Sequence, residues 1–258
     1  MLTILNLGGG VQSSTMAMMA THGEIDMPDR AVFADTHAEP ASVYRWLEWL
    51  VPKLPLPVDV VSAGDLRAEV LDAAANKGNS WGRPPFFVRG VNGSEAMLSR
   101  QCTSDYKIDP IRRYLRKRLG LKPRQRAPKE PVVEQWVGIS TDEVRRAKLA
   151  REPWISTRFP LIEQRMTRND CIAWMTRHGY PTPPRSACVF CPYHTNNEWL
   201  QLRDNDPEAF AEALRVDTAI RGGGCMGCMQ KRSSFTAVSA PCRKHCRRRM
   251  TWSKGSYG

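Results

Sequence analysis

Two sets of residues in this sequence have the types and spacing for chemistry. The first is Gly8-Gly9-Gly10-Val11-Gln12-Ser13-Ser14, which follows the apolar run Leu2 to Leu7 and opens an Ala- and Met-rich segment. Glycines let a backbone approach a phosphate closely, and a helix start presents unpaired N–H groups and the positive end of its dipole. Gly8, Gly9, Gly10, Gln12, Ser13 and Ser14 are therefore candidate phosphate-binding residues, with Thr15 adding a further hydroxyl. A tight strand-to-helix turn with a serine N-cap is the plainer alternative. The stretch lacks the Lys of a Walker-type loop, which argues against that phosphate mode.

The second set is made of cysteines. Of eight, six form the close pairs Cys188/Cys191, Cys225/Cys228 and Cys242/Cys246, while Cys102 and Cys171 stand apart. The N-terminus has no basic segment and only a short apolar run, so a secretory leader is not expected. Metal or redox chemistry then accounts for the cysteines better than a disulfide framework. Cys188-x-x-Cys191-x-x-His194 together with Cys102 would supply a closed Cys₃His tetrahedron for Zn²⁺. Thiolate-rich sites suit iron–sulfur clusters equally, so ligand type does not decide between them. Buried free cysteines are the bland alternative.

Elements to position these groups are legible from periodicity. Strands are expected at 2–7, 31–34, 58–61 and 132–139, and helices at 11–20, 41–51, 65–75, 109–119, 167–178 and 197–215. Strands alternating with helices imply a doubly wound, mostly parallel α/β sheet, here with a small Cys-containing C-terminal part. Ligands of such sheets sit beyond the carboxyl ends of the strands, where the glycines, Asp35-Thr36 and Gly138 to Asp142 would fall. Residues 77–101 read as a long lid or binding loop and 120–131 as a basic linker. The expected division is a nucleotide-binding domain over 1–165, a helical Cys-x-x-Cys segment over 166–220, and a tail over 221–258.

The net charge of +12 is concentrated in that tail, which carries nine Lys and Arg and no Asp or Glu, leaving +3 for the rest. The tail is either a disordered basic segment or a small zinc module on Cys225, Cys228, Cys242 and Cys246 or His245, with Arg247-Arg248-Arg249 on the phosphates of a nucleic acid. The basic run on the 109–119 segment is ordinarily a solvated helix face. No apolar run reaches the length of a membrane span. With 41% hydrophobic residues, a packed cytoplasmic enzyme is expected and no membrane partner.

Several of these stretches resemble, in order, those of the phosphoadenylylsulfate (PAPS) reductase-like family within the PP-loop adenine nucleotide α-hydrolase superfamily. Gly9-Gly10-Val11-Gln12-Ser13 resembles the S-G-G-x-D-S PP-loop, and Phe33-Ala34-Asp35-Thr36 the F-x-D-T stretch. Cys102 through Lys107 to Pro110-Ile111-Arg112-Arg113 is similar to C-x-x-x-K-x-x-P-L-R-R. Trp136 to Glu143 resembles W-x-x-G-x-R-x-x-E, Phe159 to Glu163 the N-P-L/I segment, and Ser186 to Pro192 the S-I-G-C-x-P-C segment. Two departures stand out: Gln12 replaces the PP-loop Asp, and the reductases' Glu-Cys-Gly-Leu-His ending is absent.

The resemblance implies a Rossmann-type fold, an ATP or PAPS-like adenine nucleotide with Mg²⁺, and a three-cysteine [4Fe–4S] cluster with an open iron on Cys102, Cys188 and Cys191; Zn²⁺ on these three and His194 is the competing reading. It implies Ser13, Asp35 and Lys107 as catalytic candidates. Thr36, Gly138, Arg112 and Arg145 join the glycine turn and Asp35 as nucleotide contacts. The activity expected is that of an ATP pyrophosphatase that adenylates a substrate for sulfur transfer, with a sulfur-donor protein as partner. A PAPS or adenylylsulfate reductase-like oxidoreductase and a non-catalytic nucleotide or nucleic-acid binding module are the alternatives.

Overall fold

The computed structural model describes residues 1–76, 84–89, 94–222 and 232–234. The chain runs through β1 (Leu2–Asn6), α1 (Val11–Thr21), β2 (Arg30–Asp35), α2 (Ala41–Leu50), β3 (Val58–Ser62) and α3 (Leu66–Asn76). It continues through β4 (Phe87–Arg89), β5 (Glu95–Met97), α4 (Asp109–Arg118), β6 (Val133–Val137), β7 (Ile155–Arg158) and the single turn α5 (Pro160–Glu163). α6 (Arg168–Arg177), α7 (Asn196–Asn205), α8 (Pro207–Gly222) and β8 (Arg232–Ser234) complete it.

The main sheet has the order β3-β2-β1-β6-β7, and every pairing in it is parallel. This is the doubly wound α/β architecture expected from the alternation of elements. Its strands alternate between two buried faces: Leu5, Ala31 and Phe33 enter one core, and Ile4, Val32 and Ala34 the other. Apolar runs rather than half-polar strands are what a parallel sheet covered on both sides requires. α1, α2 and α6 cover the first face, where Val43, Trp46, Leu47 and Leu50 form the buried stripe of α2. Ile111 and Leu115 of α4 cover the second.

α1 lies between the sheet and α6, so Met16, Ala17, Met18 and Ala20 are all buried. α6 starts at a capping box in which Thr167 and Asp170 satisfy each other's backbone N–H groups, and Thr195 and Glu198 do the same for α7. A third core joins Leu66 and Val70 of α3, Tyr106, Val189, Phe190 and the inner face of α8.

Three features differ from the expectations. The helix expected over 197–215 is two helices, because Pro207 opens α8 and holds Asp206 out of the helical conformation. The long loop expected over 77–101 contributes β4 and β5 to a small antiparallel sheet, β5-β4-β8. β7 is a strand without an apolar signature, formed by pairing along β6. From the tail, β8 pairs with β4; Cys225, Cys228, Cys242, His245, Cys246 and Arg247 to Arg249 lie outside the described residues. No helix among the described residues is long and apolar enough to cross a membrane.

Candidate functional site

The strand order reverses between β1 and β6, and the glycine turn leaves β1 at that point. This is where open parallel sheets bind ligands, since the connections diverge there and leave a crevice. Gly9 has φ +70°, a left-handed conformation that suits glycine, and its Cα faces Val43 and Leu47 of α2. Gly10 is the N-cap of α1 and offers no side chain to cap it, nor does the first turn hold an acid. The helix therefore presents its N–H groups and dipole to whatever lies in the crevice. Gly138, one residue past β6, packs against Ser13 so closely that a Cβ there would stand 2.9 Å from the Ser13 nitrogen.

The serines divide. Ser13 Oγ accepts the Gly8 N–H at 3.0 Å and so shapes the turn. Ser14 is fully buried, and its Oγ accepts the indole N–H of Trp46 at 2.8 Å. Its hydroxyl thus belongs to the packing of α2 on α1 and is turned from the crevice, contrary to the expected phosphate contact. Thr15 is likewise buried and donates to the Val11 carbonyl at 2.9 Å. Gln12 reaches across the turn, donating to Glu143 at 3.2 Å and to Ser140 at 3.4 Å, which ties the glycine turn to the segment after β6.

At the end of β2, Asp35 accepts from the His37 backbone at 2.8 Å and from the Tyr44 hydroxyl at 2.9 Å. Its carboxylate holds the β2–α2 turn, with His37 in a left-handed conformation at φ 54°. Burial, then the hydrogen bond to Asp35, pushes the Tyr44 phenol well above its usual range. Thr36 is buried with its hydroxyl 3.6 Å from Cys188 Sγ.

Two residues not singled out from the sequence organise the centre. Glu39, whose side chain has no exposure, pairs with Lys107 at 3.1 Å and accepts from Ser186 Oγ at 3.1 Å. The Val189 N–H donates to the Ala38 carbonyl at 2.8 Å, so the segment bearing Cys188 is fastened along the β2–α2 turn. Ser186 also lies against Gly10, where a Cβ would meet it at 3.5 Å. The cysteine segment, the glycine turn and Lys107 therefore share one crevice. Burial works against the Lys107 charge, but attraction to Glu39 and then Cys188 outweighs it and raises the ammonium pKa. Asn6, the last residue of β1, contributes a buried carboxamide oxygen with no hydrogen-bond partner. The sequence signal for it was a polar side chain inside the apolar run Leu2 to Leu7.

Arg112 is not in the crevice. It pairs with Asp109 on its own helix and with Glu152, just ahead of β7 at the amino end of the sheet. The two carboxylates draw it away from the phosphate role. Arg145 is exposed on the turn after β6, at the crevice end.

Cys102 and Cys191 lie within electrostatic reach of each other, as do Cys191 and Cys188. Burial, then Glu39, pushes the Cys188 thiol up to about 12, and burial raises Cys191 as well. His194 has both ring nitrogens buried without a partner, and burial, then Arg185, lowers it to about 4. Among the described residues, no group of three or more His, Cys, Asp or Glu is placed to hold a metal ion. Cys188 turns to Thr36, and the His194 ring packs on Trp199 with centroids 4.7 Å apart. As placed, the four residues form no coordination shell for Zn²⁺ or a [4Fe–4S] cluster.

An open cleft of about 810 Å³ extends the crevice from His37, Glu39 and Tyr44 to Asp65, Arg67 and α8.

No known protein family and no curated protein matches this sequence. Among solved structures, the chain is similar to the phosphoadenylyl-sulfate (PAPS) reductase of Candida auris in its phosphate complex. The TM-score is 0.46 and the identity 12%, over 71% of this chain and 75% of that one.

Proposed function

We propose that this protein is a PP-loop-type ATP pyrophosphatase that activates an acceptor by adenylation. The observation that carries this reading is the seating of the Cys188 segment on an uncapped glycine turn at the sheet's switch point, with Ser186 against Gly10. The phosphates of ATP lie on the backbone N–H groups of Gly9 to Ser13, with Lys107 beside them. The nucleoside extends past Asp35 and Thr36 into the open cleft. An acceptor oxygen attacks the α-phosphorus, the bond to the bridging oxygen breaks, and pyrophosphate leaves. Oriented backbone amides and cationic side chains stabilise the charge that develops on the phosphate oxygens. A sulfur or nitrogen nucleophile then displaces AMP from the adenylated acceptor.

In the sulfur version, one of Cys102, Cys188 and Cys191 takes the outer sulfur of a persulfide on a donor protein and releases the donor's thiol. The cysteine persulfide then displaces AMP from the acceptor. A second of the three cysteines attacks the resulting disulfide, which frees the thiolated acceptor and leaves a Cys–Cys disulfide for an external dithiol to reduce. Mg²⁺ would offset charge on the nucleotide phosphates. Asp35 is engaged by His37 and Tyr44, and Gln12 stands where the PP-loop has its Asp, so that ion would rest mainly on the phosphates.

The test is product analysis with ATP labelled at the α-phosphate. AMP with pyrophosphate is the expected pair, and ADP with phosphate would rule the mechanism out. Release of sulfite from PAPS in the presence of a dithiol, with no turnover of ATP, would favour the reductase-like alternative. Nucleotide binding with neither reaction would favour a binding module.

A further inference from the structure

The rim of the crevice carries a basic and aromatic surface that the nucleotide reading leaves unused. The Arg100 guanidinium lies over the Tyr193 ring, 5.3 Å from its centroid, and Tyr193 remains 44% exposed. Arg100 has no carboxylate partner among the described residues. Arg185 donates to the Tyr193 carbonyl at 3.1 Å and pairs with Glu198. Arg185 in turn feels the like charges of Arg168 and Arg146. Arg168 opens α6 with its N–H on Asp142 at 3.0 Å, and Arg146 holds Glu143 at 2.6 Å, the carboxylate that Gln12 also binds. Arg100 and Arg185 are both within electrostatic reach of Cys191. The surface thus borders the cysteines on one side and the glycine turn on the other.

Guanidinium groups spaced along an edge bind successive backbone phosphates, and a partly exposed aromatic ring offers a face on which a base stacks. We infer that this rim binds a single-stranded nucleic acid, with a base on Tyr193 and a backbone phosphate on Arg100, laid across the mouth of the crevice. A single strand is specified because stacking on a side chain needs an unpaired base. The inference rests on the proposed adenylating function, in which the strand is the acceptor, and it is separate from any role of the basic tail.

The experiment is fluorescence polarisation on the full chain with a labelled single-stranded DNA, the RNA of the same sequence, and their duplex, over a range of salt. Binding of a non-hydrolysable ATP analogue is measured in parallel by calorimetry. Tyr193→Ala is expected to weaken single-strand binding by about tenfold. Arg100→Gln is expected to flatten the slope of log affinity against log salt by about 0.7, the value of one lost phosphate contact on a single strand. The tighter of the two single strands identifies the sugar. Variants that bind single strands as wild type does, or a duplex that binds as tightly as a single strand, overturn the inference. If the wild type binds no ATP analogue while the variants still lose strand binding, the adenylation reading fails and the strand surface stands. Unaltered thermal midpoints of both variants show that a loss is not unfolding.

Discussion

Gly138 and the first turn of α1 are in contact without room for a side chain: a Cβ on Gly138 would stand 2.9 Å from the nitrogen and 3.0 Å from the Cα of Ser13. Both obstructing atoms are backbone, so relief requires the glycine turn itself to move. Gly138→Ala is therefore expected to cost about 1–3 kcal/mol of stability through overpacking. It should lower ATP affinity more than a change remote from the turn with an equal stability loss. Thermal unfolding and calorimetric titration of the same variant measure both, and unchanged nucleotide affinity would detach Gly138 from the site.

Ser13 and Ser14 are adjacent but should behave differently. Ser14→Ala removes the acceptor of the buried Trp46 indole N–H, an unsatisfied donor that costs about 1–3 kcal/mol, while leaving nucleotide affinity intact. Ser13→Ala frees the Gly8 N–H and loosens the turn, so it should reduce nucleotide affinity with the smaller loss of stability, because that group lies nearer solvent. Denaturant unfolding and ATP titration of the two variants would expose a reversal.

Lys107 and Glu39 form a pair with one member fully buried. Lys107→Met strands the Glu39 carboxylate, at a cost of about 1–3 kcal/mol, below the usual figure for a wholly buried pair because Lys107 keeps some exposure to solvent. Adding Glu39→Gln should restore part of that stability, since a neutral amide can keep the Ser186 contact. Nucleotide affinity should stay low in the double variant. A double variant that regained affinity would mean that Lys107 serves the packing alone.

His194 makes stability depend on acid. Its folded pKa is lowered from 6.5 to about 4, so the unfolded chain binds the extra proton between those values. Stability is fully present above pH 6.5 and is lost as the pH falls toward 4, by about 3 kcal/mol in all. Urea midpoints of chelator-treated protein across this range should fall with acid in the wild type and much less in His194→Leu. Parallel curves would assign the acid loss to other groups.

Much of the scaffold was legible because its determinants are local. The apolar runs at 2–7 and 31–34, the buried stripe of Trp46, Leu47 and Leu50, and the Thr167 cap each occupy one or two turns of chain. Alternation of strand and helix then leaves few topologies, and it places Gly8 to Gly10, Asp35, Thr36 and Gly138 at one end of the sheet. β7 escaped because Ile155 to Arg158 has a strand's conformation only by virtue of β6 beside it. The break at Asp206 had its signal in Pro207, outweighed by the helical composition on either side.

The sequence by itself determined the parallel α/β architecture, the glycine turn and the chain positions of the cysteines. Tertiary structure decided which side chains face the crevice. It turned Ser14 into the core, drew Arg112 away to Glu152, and joined Glu39 to Lys107 and Ser186 across three distant segments. The reason is physical: conformational preference and periodicity act over a few residues. Ion pairs, buried hydrogen bonds and close backbone approach depend instead on which remote segments the packed sheet brings within a few ångströms.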